Sequence, residues 1–170
     1  MKTTIERDHV DALLEGLAGL PSVDLEVEGI VDRIMGLSRR IRLSLERTLT
    51  ELELTHGEYK VLGYLRHRDH SPGELAAKAE LSSGAMTNRL DQLERAGLVE
   101  RRPDPADRRG IQVTMTDKGR ETWVAAFAAQ AEKEKQIAAT FDADEKVELN
   151  ALLRRLMLAY ERVEAGGPDC

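Results

Sequence analysis

A helix with one apolar side is predicted in the first half of residues 81–116. Met86, Leu90 and Leu93 recur at the helical spacing of three or four residues. Gly97 follows as the terminating residue, because glycine readily adopts the left-handed conformation in which many helices end. The side of this helix opposite Met86 carries small polar residues with little apolar bulk.

A hairpin is predicted directly after this helix. Residues 103–110 form a polar loop with two prolines and a pair of arginines. Ile111, Val113 and Met115 then alternate with polar residues, which is the period of a half-buried strand. A helix with a small polar face beside a hairpin that carries arginines predicts a winged helix that binds DNA.

Further helices are predicted from apolar periodicity and from N-terminal caps. Apolar positions repeat along one side of residues 5–20 and of residues 29–52. Capping boxes, in which a cap side chain and an acidic residue three positions later satisfy each other's backbone N–H, begin at Thr55, Ser71 and Asp142. The helix at Ser71 and the next helix, capped by Ser82, are joined by a tight turn, which is typical of a helix-turn-helix.

The predicted fold is mainly α with a small β-hairpin wing. Residues 55–116 are expected to form the winged helix-turn-helix. Residues 1–54 and 117–170 are expected to form a helical dimerisation domain with an extra N-terminal helix. The apolar stripe along 29–52 would be longer than roughly 30 Å at about 1.5 Å per residue. A small domain cannot cover such a stripe alone, so a helix from a second subunit is expected to pack against it.

The charge is distributed unevenly along the chain. The net charge is -6, but residues 59–120 carry 12 basic and 9 acidic side chains, a net charge of +3. The only positive third of the chain is therefore the predicted DNA-binding part, and positive charge supplies most non-specific affinity for DNA.

Composition argues against several other classes of protein. The only cysteine is Cys170, so no internal disulfide is expected. No apolar run approaches the roughly 20 residues that span a bilayer, and the charged N-terminus does not resemble a secretory signal, so a cytoplasmic protein without membrane contact is expected. No catalytic motif, cofactor loop or metal-ligand spacing is present; His67 and His70 are interpreted as a solvated helix end rather than a metal site.

Two stretches resemble the MarR family of bacterial winged-helix regulators: SSGAMTNRLDQLERAGLVERRPDPADRRG and the following VTMTDKGR. The motif from Asp104 to Arg109 is distinctive of this family's wing, and the resemblance extends over about residues 29–163. It implies a homodimer with interwoven terminal helices that binds a pseudo-palindromic operator on double-stranded DNA, usually as a repressor. It also implies release of the DNA by an effector; a thiol-based oxidant response is not expected, since the family's sensing cysteine is missing.

The resemblance also implies which residues meet DNA. Hydroxyl, amide and guanidinium groups at the start of the helix would face the major groove, and a wing arginine, oriented by an aspartate, would enter the minor groove. The residues are Ser82, Ser83, Thr87, Asn88, Arg89, Asp107, Arg108 and Arg109. Two alternatives stay open: the two wing arginines form an ordinary solvated loop, or Arg89 makes a structural salt bridge to carboxylates near Asp91.

The N-terminal helix resembles that of the urate-responsive, PecS-like branch of the family. By that resemblance the ligand-contacting positions fall on Leu17, Lys60, His67 with Arg66 beside it, and Arg89. Only Arg89 is retained, and Lys60 reverses the charge of an aspartate. The architecture of this branch is therefore expected without urate sensing. Lys60 and Arg66 either hold an anionic ligand or are surface charges.

The sequence therefore predicts a DNA-binding homodimeric repressor, with no enzymatic activity and no cofactor, that a small molecule of unknown identity releases from its operator. The alternative is a dimeric protein-interaction module of the same fold. Residues 1–28 either cover the ligand site or brace the dimer.

Overall fold

The computed structural model describes residues 6–105 and 110–166, and this part of the chain contains seven helices and one two-stranded hairpin. The predicted mainly α fold with a small hairpin is confirmed. The elements are α1 (His9–Leu17), α2 (Leu25–Thr50), α3 (His56–Leu65), α4 (Pro72–Lys78), α5 (Ser83–Arg95), β1 (Val99–Pro103), β2 (Ile111–Met115), α6 (Asp117–Ala138) and α7 (Ala143–Glu164).

The chain divides into two compact units. The first is Met1–Ala126, which contains α1 to α5, the hairpin and the start of α6; the second is Phe127–Cys170, which contains the rest of α6 and α7. The sequence predicts one dimerisation domain from residues 1–54 and 117–170 and a winged helix-turn-helix from residues 55–116. Because the dimerisation domain would form between two chains, this division stays a prediction.

Three predicted capping boxes are confirmed. The Thr55 N–H donates to Glu58 Oε2 at 2.8 Å, and the Glu58 N–H donates to Thr55 Oγ1 at 3.2 Å. Ser71 and Glu74 repeat the arrangement with the same two distances. Asp142 caps α7 in the same way. These local pairs set where three helices begin.

Two further caps shift the predicted ends of the first helices. The Asp8 carboxylate accepts from the Val10 N–H, so within the described residues α1 begins at His9. The Asp24 carboxylate accepts from the backbone of Glu26 and Val27, so α2 begins at Leu25 rather than at residue 29. Apolar periodicity alone does not mark the first residue of a helix. That position is set by the cap residue, which accepts from the N–H groups of the first turn.

An ion-pair cluster joins α1 to α2. Arg33 on α2 contacts Asp8 (Nε to Oδ2, 2.9 Å) and Asp11 (Nη2 to Oδ1, 2.7 Å). This guanidinium lowers the pKa of Asp8 through its hydrogen bond. The N-terminal segment therefore includes a folded helix that packs against α2.

The core of the first unit lies among α2 to α6 and the hairpin. α2 contributes Leu49, and the start of α6 contributes Ala126, both fully buried. The remaining buried apolar residues are Leu54, Val61, Leu62, Leu65, Leu75, Ala76, Met86, Leu90, Leu93, Leu98, Val99, Val113 and Met115. Aliphatic side chains dominate, as the low aromatic content predicts.

The hairpin pairs β1 with β2 in antiparallel register, with Arg101 opposite Val113. On the other edge of β2, His70 exchanges two backbone hydrogen bonds with Val113, of 3.3 and 2.8 Å. The hairpin is thereby attached to the segment just before α4. Val113 and Met115 are buried as predicted, whereas Ile111, near the loop, is 48% exposed.

Large apolar side chains are exposed in greatest number on two of the described helices. α7 has no buried residue; its exposed apolar residues are Val147, Leu149, Leu152, Leu153, Leu156, Met157, Leu158, Tyr160 and Val163. α2 exposes Val27, Ile30, Val31, Met35, Leu37, Ile41 and Leu43. Across the described residues, no helix combines the length and the apolar character that crossing a membrane requires.

Candidate nucleic-acid interface

α4 and α5 form a helix-turn-helix, in which the four residues 79–82 connect the two helices. The Leu81 N–H donates to the Ala76 carbonyl at 2.9 Å, and Glu80 adopts a left-handed backbone with φ of 54°. Ser82 then caps α5 by accepting from the Ala85 N–H at 3.3 Å. The predicted motif is confirmed, and it attaches the start of α5 firmly to α4.

The orientation of α5 agrees with its apolar pattern. Met86, Leu90 and Leu93 are at most 1% exposed. Four of the residues predicted to contact DNA are exposed at the start of the helix: Ser82, Ser83, Thr87 and Asn88. Arg89 is half-buried. The Thr87 hydroxyl donates to the Ser83 carbonyl at 2.9 Å. Because the hydroxyl proton is used in this bond, the exposed Thr87 side chain offers its oxygen only as an acceptor.

Arg89 lies against the beginning of α3. Its guanidinium occupies the space in front of Gly57, where an ideal Cβ at residue 57 would lie 2.4 Å from Arg89 Cζ. The side chain thus runs from α5 across to α3 in the folded chain. Periodicity places Arg89 on the flank of α5, but only the tertiary structure shows what that flank meets.

Arg101 on β1 joins the wing to α5, although no motif or periodicity in the sequence marks this residue. Its Nη2 lies 2.7 Å from Asp91 Oδ1, and its Nη1 lies 2.6 Å from Glu94 Oε2. The Arg101 backbone N–H also donates to Glu94 at 3.2 Å. Partial burial lowers the pKa of Arg101, but the bonds to Asp91 and Glu94 outweigh burial, so the pKa is raised overall. Asp91, considered above as a partner for Arg89, is bonded to Arg101 instead.

The loop of the hairpin is closed at its base. The Asp104 N–H donates to the Gly110 carbonyl at 3.0 Å, and Gln112 Nε2 donates to Asp104 Oδ2 at 2.7 Å. The predicted minor-groove residues, Asp107, Arg108 and Arg109, lie outside the described residues.

A second group of functional candidates lies at the C-terminal end of α3, where Arg66 and His67 directly follow its last residue, Leu65. The Arg66 guanidinium carbon lies 5.0 Å from the centre of the Trp123 ring, and Arg66 Nε donates to His67 Nε2 at 3.0 Å. Tyr59 stacks on Trp123 with a centroid distance of 5.9 Å and an interplanar angle of 10°. The structure therefore brings Arg66 and His67 together beside an aromatic pair.

The other predicted ligand residues lie elsewhere, on α1, α3 and α5. Lys60 is exposed on α3, Arg89 contacts the first turn of the same helix, and Leu17 is half-buried on α1. Within residues 6–105 and 110–166, no cluster of histidine, cysteine, aspartate and glutamate has the arrangement to hold a metal ion.

Comparison with known proteins agrees with this geometry. The family model described as "MarR family" matches residues 54–111. The regulator PecS of Dickeya dadantii is 29% identical over 140 residues, which cover 80% of this chain and 84% of PecS. The multiple antibiotic resistance protein MarR of Escherichia coli is 32% identical over 120 residues, which cover 66% of this chain and 80% of MarR.

A solved structure shows the same fold. The apo form of E. coli MarR superimposes with a TM-score of 0.63 at 28% identity, covering 74% of this chain and 94% of that one. A helix-turn-helix followed by a hairpin, within flanking long helices, defines a winged-helix DNA-binding regulator. The chain belongs to the MarR family, whose members are transcriptional regulators and not enzymes.

Proposed function

We propose that this regulator is a homodimeric repressor, which binds a pseudo-palindromic operator and releases it when a small molecule binds. The observation that carries the proposal is the exposed, small polar face of α5, held between Arg89 against α3 and Arg101 from β1. A recognition helix that is held in place on both sides loses little conformational entropy when it binds DNA. The cytoplasm, where bacterial DNA lies, is the proposed site of action.

DNA recognition is proposed to combine both grooves. Ser82, Ser83, Thr87 and Asn88 present hydroxyl and amide groups that match base edges in the major groove. Arg108 or Arg109, oriented by Asp107, would enter the minor groove, whose negative potential favours arginine. In a dimer the two α5 helices would lie one helical turn of DNA apart, about 34 Å.

Dimerisation is supported by the apolar surfaces of α2 and α7. Leu152 and Leu153 on α7 are 50% and 45% exposed, and Ile30 on α2 is 52% exposed. Large exposed apolar side chains that recur along a helix mark an interaction site. We propose that a second copy of the chain covers both helices.

An anionic aromatic effector fits the side chains on α3 and directly after it. Lys60, Arg66 and His67 offer positive charge and N–H donors, and Trp123 provides a planar apolar face. Leu17 and Arg89 would complete the site. Such a ligand releases DNA only if it binds the released conformation more tightly than the DNA-bound one, since equal affinity shifts no equilibrium.

The proposed function is tested by selecting duplexes from a random pool with the full-length protein and measuring affinity by fluorescence anisotropy. Enrichment of an inverted repeat is expected. Arg109→Ala should weaken binding to every sequence and lower the salt slope by about one, whereas Arg40→Ala, on the exposed side of α2, should change neither. Failure to enrich any duplex would favour the protein-interaction alternative.

The effector is tested on the selected complex with salicylate and urate. Release by salicylate and retention of the complex with urate are expected, because Lys60 replaces the acidic acceptor that urate N–H groups need. Release by urate would contradict the expectation that the charge reversal at Lys60 abolishes urate sensing.

A further inference from the structure

Two glycines occupy the same position in two successive helices. Gly57 is the second residue of α3 and Gly73 is the second residue of α4, and each precedes the glutamate of a capping box. The segments THGE and SPGE are therefore equivalent as local structure. Local sequence gives no reason to treat one glycine differently from the other.

The tertiary surroundings of the two glycines differ sharply. An ideal Cβ at residue 57 would lie 2.4 Å from Cζ, 2.5 Å from Nη2 and 2.8 Å from Nε of Arg89. Cβ atoms essentially never approach other heavy atoms this closely. An ideal Cβ at residue 73 would meet only Ser71 Oγ, at 4.0 Å, which is ordinary contact. Of these two glycines, only Gly57 leaves space that another side chain occupies.

The three atoms nearest to an added Cβ at residue 57 all belong to the end of one flexible side chain. A methyl group there would displace the Arg89 guanidinium and leave the backbones of α3 and α5 in place. Residue 57 therefore controls the position of Arg89 with little effect on the fold. Such control matters because Arg89 extends from α5 beside the exposed residue Asn88.

We propose that Gly57 is a positioning residue for DNA binding. By leaving room for the Arg89 guanidinium against the first turn of α3, it holds this arginine in one orientation before DNA arrives. A long side chain that is ordered in advance costs less entropy on binding than a mobile one. On the opposite flank of α5, Arg101 is ordered by Asp91 and Glu94. This inference rests on the proposed DNA-binding function and adds a determinant outside α5 and the wing.

The test compares Gly57→Ala with Gly73→Ala, each in the full-length protein, on the duplex that the unsubstituted protein selects. Gly57→Ala should weaken binding about tenfold, the effect of losing one well-placed charge-assisted contact. Gly73→Ala should stay within about twofold, because its methyl group meets no close atom. In the Arg89→Ala background, Gly57→Ala should cause no further loss.

Two results would overturn the proposal. One is unchanged DNA affinity for Gly57→Ala. The other is an equal loss in the Arg89→Ala background, which would show that residue 57 acts through the fold and not through Arg89. Footprinting of the duplex with Gly57→Ala and with Arg89→Ala tests the same point. If residue 57 acts through Arg89, both variants should lose protection at the same phosphates or bases.

Failure of the proposed function is distinguishable from failure of this inference. If the unsubstituted protein enriches no duplex, the repressor proposal fails, and the DNA-binding role of Gly57 fails with it. Thermal unfolding then still reports the packing: Gly57→Ala should lower the midpoint relative to Gly73→Ala when Arg89 is present. The difference should vanish in the Arg89→Ala background.

Discussion

At the scale of single residues, Gly119 allows the first turn of α6 to pack against the segment between α5 and β1. An ideal Cβ at this position would lie 2.0 Å from the Leu98 carbonyl oxygen. The neighbouring Thr116 hydroxyl donates to the Gly97 carbonyl at 2.8 Å and accepts from the Gly119 N–H at 3.0 Å. Thr116 therefore caps the start of α6, and Gly119 permits a close backbone contact there.

Gly119→Ala is expected to lower the free energy of unfolding by about 3 kcal/mol, because the obstructing atom is backbone and cannot move aside as a side chain can. Urea denaturation measures the change. Gly16→Ala is the control, since nothing lies within 4 Å of its added Cβ. A loss for Gly119→Ala no larger than for the control would contradict this account.

His70 makes stability depend on pH. Burial, with the nearby positive charges of Arg68 and Lys78, lowers the pKa of its imidazole, while Glu74 opposes the shift. The unfolded chain therefore binds the proton more readily than the folded one, and stability falls as the pH drops below about 6.5. Denaturation midpoints between pH 7.5 and 5.5 should show a decline that His70→Gln reduces. His56→Gln, at an exposed site, should leave the decline intact; an equal decline in both variants would exclude His70 as its cause.

At the scale of elements, Arg101 makes α5 and the wing behave as one body. It binds two carboxylates on α5 from β1, and its own side chain is only 24% exposed. These bonds also neutralise Asp91 and Glu94, which lie on the helix proposed to approach phosphates. A DNA-binding helix can carry such carboxylates because a wing cation compensates them.

Arg101→Ala is expected to reduce the unfolding free energy by about 1 to 2 kcal/mol and to weaken DNA binding most at low salt, where two uncompensated carboxylates repel phosphates. Chemical denaturation and anisotropy titrations at two salt concentrations measure both effects. Arg102→Ala is the matched control, because that side chain is 60% exposed and pairs only with Glu100 in the described residues. Its effect on stability should stay within about 0.5 kcal/mol. Equal effects of the two substitutions would argue against a bridging role.

At the scale of the whole molecule, we propose that a second chain covers the apolar surface of α7. All of its large apolar residues are exposed, with Val147 at 71% and Val163 at 70%. A helix of 22 residues with an apolar face and no buried residue has little to stabilise it within one chain. Folding of this helix is therefore expected to depend on dimerisation.

Leu152→Glu should shift the protein from dimer to monomer and reduce operator affinity, because a carboxylate would enter the apolar interface. Sedimentation equilibrium measures the association. Asn150→Glu introduces the same charge on nearly the opposite side of α7 and should leave the dimer intact. A dimer that survives Leu152→Glu as well as Asn150→Glu would place the interface elsewhere.

Local signals accounted for most of the fold. The capping boxes at Thr55 and Ser71 and the apolar spacing of Met86, Leu90 and Leu93 are predicted from the sequence and observed in the structure. These features depend on residues within one or two turns of each other, which is why a single sequence reveals them. Asp24 gives no such signal as a cap, because no Glu or Gln follows it at the third position.

The sequence by itself determined that the helices form, the capping boxes at Thr55, Ser71 and Asp142, the helix-turn-helix and the hairpin, because each arises from contacts between residues close in the chain. Only the tertiary structure decided that Arg89 lies against Gly57 and that Arg101 binds Asp91 and Glu94. Those partners are separated by many residues, and their meeting depends on how α3, α5 and β1 pack. Two glycines in identical local contexts therefore differ in role, since only packing decides which one faces an arginine.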